Sequence, residues 1–190
     1  MSGRLYVRCV TALLPLVLVF SLTMAVSAEG NDLRSVLQNA YGESVSSKAA
    51  ALGFLDLTGE EAGYLKETVE MFAGAGFSAR LCLDYLDLAS GLVGAGISLK
   101  DIEAKVREGI AKNAGGSRVV AVITDRTQWL KKARALTLSL ENDGVSFLDK
   151  QMSYRVFADY LARGVSGEDL GTHVMLRELD DYPALENLVR

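Results

Sequence analysis

An all-α fold is predicted, on three observations. Of the two prolines only Pro183 falls after residue 28. Long stretches keep their apolar residues at helical rather than alternating spacing, and glycine punctuates them. A short turn recurs almost word for word: Gly96-Ile97-Ser98-Leu99-Lys100-Asp101, Gly144-Val145-Ser146-Phe147-Leu148-Asp149 and Gly164-Val165-Ser166-Gly167-Glu168-Asp169, with Gly76-Phe77-Ser78 as a partial copy. Glycine takes the left-handed conformation that ends one helix, and the apolar residue after it folds back on that helix. Serine then caps the next helix, and the aspartate three residues on opposes its positive end. The turn therefore reads helix, tight turn, helix. About eight helices in antiparallel hairpins are expected, as a compact bundle or a short helical-repeat array.

The chain opens with basic Arg4 and Arg8, an apolar run from Val10 to Val26, and a small-residue end at Val26-Ser27-Ala28. These are the parts of a cleavable export signal, so residues 1–28 are read as a signal peptide and 29–190 as a single helical domain. An uncleaved anchor is the competing reading, because the run approaches the roughly 20 residues that span a bilayer. Pro15 and the cleavage-like end count against it. Cys9 precedes the apolar core, so no cysteine would be positioned to carry a lipid on the processed chain. The expected location is the periplasm or the outside of the cell.

Helices are predicted near 32–41, 45–55, 59–73, 79–93, 99–113, 118–141, 147–163 and 167–179, with a short one after Pro183. The second is expected to be short and partly irregular, because serines stand at 44, 46 and 47 and Gly53 interrupts it. The third starts at Thr58-Gly59-Glu60-Glu61 and spaces Ala62, Leu65, Val69 and Phe72 along one face. The fourth carries Leu81, Cys82, Tyr85, Leu86, Leu88, Ala89, Leu92 and Val93 over more than half its circumference, which predicts a central, mostly buried helix. Gly91 and Gly94 on it either admit a close neighbour or mark its end. Gly76 to Gly96, Gly96 to Gly116 and Gly144 to Gly164 are each 20 residues apart. A turn of about four residues then leaves helices of about 16, roughly 24 Å long. The 28-residue interval from Gly116 to Gly144 predicts one longer helix. Its start, Val119-Val120-Ala121-Val122-Ile123-Thr124, has strand propensity, but Ser117 stands at the expected cap and Leu130, Ala133, Leu136 and Leu140 follow at helical spacing.

Charge and composition exclude several activities. Arg4 and Arg8 leave with the signal, so 18 basic residues face 24 acidic ones, a net charge of −6. That opposes binding to nucleic acid, and membrane contact is expected only through an uncleaved signal. Leu161-Ala162-Arg163-Gly164-Val165-Ser166 resembles the turn of helix-turn-helix DNA-binding proteins, yet the same capping physics repeats that turn three times in this acidic chain. Only Cys82 would remain after processing, within Leu81-Cys82-Leu83, where a buried inert thiol is expected. A homo-oligomer, bridged by Cys82 or not, stays open. His173 is the single histidine, without a second histidine or a cysteine pair to build a zinc site or a triad.

The carboxylates offer little more. Asp84 and Asp87 share a helix face with Arg80 one turn before, the pattern of a narrow solvated wedge on a buried helix. Glu43-Ser44 resembles the glutamate–serine pair of exported lytic transglycosylases, which implies cell-wall glycan cleavage. The downstream glycine-leucine-methionine-glutamine run of that family is not matched, Gly53-Phe54-Leu55-Asp56 standing nearest. Asp143-Gly144 does not begin a calcium loop, since Ser139 and Lys150 stand where acids are needed. No phosphate or dinucleotide glycine pattern occurs, and no cofactor or metal is expected.

One helix is locally basic and aromatic: Arg126, Trp129, Lys131, Lys132 and Arg134. Tryptophan and arginine dominate contact energies at interfaces, so Arg126, Trp129 and Lys132 are the candidate partner-binding residues. By elimination, the expectation is a non-catalytic exported domain that binds another protein in the cell envelope or outside the cell. A carrier of a small apolar ligand, with a cavity around Tyr85, Phe72, Trp129 and Phe157, and an enzyme using carboxylates are the alternatives.

Overall fold

The computed structural model describes residues 32–176. The expected signal peptide, the expected helix after Pro183 and the last residues of the predicted 167–179 helix lie outside them. The fold is all-α, with no strand among the described residues. Helix α1 covers 32–41, α2 Glu43–Ala51, α3 Glu60–Gly74, α4 Ala79–Val93, α5 Lys100–Ala111, α6 Gly116–Asn142, α7 Lys150–Ala162 and α8 Gly167–Leu176. A single 3₁₀ turn, Phe54–Asp56, follows α2. Two compact units divide between Lys66 and Glu67.

In the first unit, Leu33, Leu37, Val45, Ala49 and Leu65 are buried, and Lys66 pairs with Asp32. Gly53 turns left-handed at φ 76° between α2 and the 3₁₀ turn, and so interrupts the predicted 45–55 helix as the sequence suggests.

In the second unit the glycine turns form as expected. Gly76, Gly96, Gly144 and Gly164 have φ of 69°, 67°, 94° and 90°. The amide of the next residue reaches five residues back in each case, as in Phe77 to the Phe72 carbonyl at 2.9 Å and Ile97 to Leu92 at 2.9 Å. This is the double-bonded helix end that satisfies otherwise orphaned carbonyls. The α5–α6 turn departs from the glycine spacing. Asn113, at φ 54°, takes the left-handed position, and Ala114 donates to Gly109 at 2.9 Å. Gly116 is instead the first residue of α6, and its glycine serves close packing, since a Cβ there would stand 2.6 Å from Leu81 and 3.0 Å from Phe77.

The serines are less uniform than the turn suggests. Ser166 Oγ accepts from the Asp169 amide at 3.0 Å, and Ser98 Oγ from Lys100 at 3.3 Å. Ser117 lies inside α6, whose cap is Gly115. Before α7 the cap is Asp149, accepting from Met152 at 2.9 Å, and the helix starts three residues later than predicted. Phe147 explains the delay: the chain stays non-helical while this ring turns inward to meet Phe157 edge-on, 5.9 Å between centroids.

The centre of this unit is α6 rather than α4. At 27 residues it spans about 40 Å and packs against α4, α5, α7 and α8. A repeat array would join each helix chiefly to its sequence neighbours, so this unit is a bundle around α6. On α4, Cys82, Tyr85, Leu86, Ala89 and Leu92 are buried, whereas Asp84 and Asp87 form the solvated wedge. Lys131 of α6 crosses α4 where a Cβ on Gly91 would sit 2.8 Å from its Nζ, so Gly91 admits a neighbour while Gly94 ends the helix. The β-branched start of α6 is helical, and its Thr124 hydroxyl donates to the Val120 carbonyl at 2.8 Å.

Candidate functional site

Arg126 and Trp129, one turn apart on α6, have opposite surroundings. The Arg126 side chain is 9% exposed. Its guanidinium donates twice to Asp101 of α5, Nη2 to Oδ1 at 3.2 Å, and once to Asp159 of α7 at 2.7 Å. Burial by itself lowers its pKa, but hydrogen bonds and charge from Asp101 and Asp159 outweigh that and raise it. Arg126 therefore bolts three helices together with a planar, two-pronged contact. Asp101 stands in the first turn of α5, as the sequence predicts, and there also serves this bridge, which the sequence does not signal.

The same bridge sets the register of a groove. Both α5 and α7 join α6 through short turns, so partners along α6 run in the opposite sense on each flank. One turn before Arg126, Val122 comes level with Lys105 of α5 and Arg163 just past α7. Close to the start of α6, Val119 packs on Gly109, where a Cβ would meet it at 2.9 Å. Between these helices lies an open groove of about 680 Å³. Its apolar wall is Val122, 46% exposed, with Trp129 half-buried and Ala162 opposite.

Lys132 does not line this groove. It is exposed and lies over the Trp129 ring, its Nζ 4.3 Å from the centroid. That cation–π contact places Lys132 on one face of the indole and steadies it. The three candidate residues thus divide into a structural bridge, an open aromatic wall and its support.

Charge in the groove is unevenly placed. Toward the start of α6 stand Lys112, Arg118 and Arg163, all exposed. Glu108 is shared between Lys112 at 2.5 Å and Lys105 at 3.0 Å, and hydrogen bonds from those lysines push its pKa down to about 2. Arg163 lies over Tyr160, 5.9 Å from the ring centroid. Sequence reasoning missed Lys105, Lys112, Val122, Arg118 and Arg163. Once the α5–α6 turn is placed at Asn113, counting along antiparallel helices brings them together, but the expected turn at Gly116 shifts that count.

The other residues weighed for chemistry lie elsewhere. Glu43 is exposed on α2, accepting from Gln38 at 2.9 Å and Ser47 at 3.1 Å. His173 Nδ1 faces the Asp169 carbonyl at 2.7 Å, one turn earlier on α8. Cys82 is fully buried, and burial raises its thiol to about 12, which suppresses the reactive thiolate. Among the described residues no cluster of three metal-ligating side chains occurs, and no helix is long and apolar enough to cross a membrane. Comparison with family models, with curated proteins and with solved structures finds no match.

Proposed function

We propose that the chain is exported, loses its first 28 residues, and binds another protein in the cell envelope or outside the cell through the α5–α6–α7 groove. The observation that supports this reading is the half-buried Trp129 beside exposed Val122 in an open groove. A concave site with an accessible aromatic and an apolar neighbour is where a partner side chain gains the most contact area. The carboxylates there suit recognition better than acid–base work. Glu108 is held near pKa 2, far below the neutral range in which a general acid or base is effective. Phe72, Tyr85 and Phe157, named for a ligand cavity, are each fully buried, with Phe72 and Tyr85 rings 5.4 Å apart. Phe72 and Tyr85 close on each other and Phe157 on Phe147, which leaves Trp129 as the one of the four that lines open space.

The test is a photo-reactive amino acid placed at Val122 and, separately, at exposed Leu148, in the cells that make the protein. A discrete crosslinked species from position 122 alone is expected, on a chain whose mass begins at Glu29. No crosslink from 122, or the same products from 148, would overturn the binding site. An intact Met1 on the exported fraction would overturn the cleavage.

A further inference from the structure

The polarity of the groove points beyond the fact of binding to the chemistry of what binds. We infer that the partner presents a short acidic segment with an apolar anchor, the anchor on the Val122–Trp129 wall and the carboxylates toward Lys112, Arg118 and Arg163; this rests on the binding role proposed above. Two lysines share the one carboxylate of Glu108, and among the described residues Arg118 and Arg163 have no carboxylate partner. That end of the groove therefore carries surplus positive charge on a protein that is acidic as a whole. Toward Trp129 that surplus is lost, because Arg126 is answered by both Asp101 and Asp159, and Asp125 on the same wall offsets Lys132 over the Trp129 ring. An acidic segment is therefore attracted at one end only, which fixes its direction as well as its sign.

The length is also bounded. From Arg118 to Trp129 α6 rises about 16 Å, room for about three helical turns or five extended residues. Val122 and Trp129 lie on one face of this stretch, two turns and about 10 Å apart, so two apolar side chains of the segment are needed to cover both. A recessed groove with its cations on three different helices favours a peptide segment over a flat anionic membrane, which would meet only the rim.

Trp129 is the single tryptophan of the chain, so its fluorescence reports on this groove and nowhere else. A random 12-residue peptide library selected against the purified protein, followed by titration of the enriched peptides, tests the inference. Enriched sequences are expected to be acidic beside an apolar residue, to shift Trp129 emission saturably, and to bind more weakly as salt rises. The double variant Arg118→Glu, Arg163→Gln is expected to weaken them about tenfold. Both side chains are exposed, and an unchanged helical spectrum and melting temperature would show that the variant stays folded.

Basic or uncharged peptides that still shift Trp129 would overturn the acidic partner while keeping the groove. Peptides that bind without moving Trp129, or a library with no enrichment, would overturn the groove as the binding site. Phosphatidylglycerol vesicles that shift Trp129 where acidic peptides do not would replace the peptide with a membrane surface. A concentration-dependent shift of the protein alone would replace it with a second copy.

Discussion

Two aromatic regions of the second unit differ in how they end. Around Phe72, neighbours close from every side: Phe77 lies 5.0 Å away, Tyr85 lies 5.4 Å away, and Phe72 and Tyr85 have no exposed surface. Around Trp129, the flanking helices α5 and α7 stand apart, Lys132 lies over one face of the ring, and the ring lines a groove. What separates the regions is the spacing of helices rather than the kind of side chain. Arg126 helps to hold that spacing, since its planar contacts set α5 and α7 on either side of α6.

The largest effects should appear on the closed side. Phe72→Ala is expected to cost about 3–5 kcal/mol in urea titration. Trp129→Ala is expected to cost less, about 1–2 kcal/mol, because part of the ring is already in contact with solvent, while abolishing groove binding. Equal losses for the two would erase the distinction between core and groove. Arg126→Ala should cost about 3 kcal/mol, as the 16%-exposed Asp101 carboxylate is left without its cation. A cost below about 0.5 kcal/mol, the range of ordinary surface changes, would mean that the bridge does not set the frame of the groove.

Smaller effects distinguish the two kinds of glycine at helix ends. Gly116→Ala forces Leu81 and Phe77 to move and is expected to destabilise by about 1–3 kcal/mol. Gly144→Ala meets nothing within 4 Å, so its cost should be the left-handed strain alone, about 1 kcal/mol. At Asn113 glycine should be tolerated or mildly stabilising, whereas alanine should cost about 1 kcal/mol. If Asn113→Gly proves as harmful as Asn113→Ala, the turn is held by the side chain and not by its backbone conformation.

The smallest effect concerns Glu108, followed by NMR at low salt. Its midpoint is expected near 2, rising toward the ordinary carboxylate range in Lys112→Ala. Because the folded value is depressed, any stability it adds is complete above about pH 4.5 and fades as pH falls toward 2. Its exposure to solvent means that salt should diminish the shift.

Much of the fold was legible because each helix end is written locally. Gly76, Gly96, Gly144 and Gly164 all turn left-handed, and α4 has the predicted bounds 79–93. The β-branched run at the start of α6 was correctly outweighed by the periodicity that follows it. What local pattern could not supply was partnership at long range. Asp101 and Asp159 lie 25 and 33 residues from Arg126, and nothing near either marks it as a bridge. The centrality of α6 was hidden for a related reason. The buried stripe of α6, Val119, Ile123, Arg126, Thr127, Leu130, Ala133, Thr137 and Leu140, includes three polar residues, so it reads as less apolar than the stripe of α4, which looks more central than it is. Trp129 was found from composition alone, but the cations that give its groove a direction come from three helices.

The most direct measurement is iodide quenching of Trp129 fluorescence, before and after addition of the partner captured by the Val122 crosslink. Ready quenching in the free protein, with protection in the complex, is the expected result. A tryptophan already shielded in the free protein, or equally quenched with the partner bound, would contradict an open groove that closes on a protein.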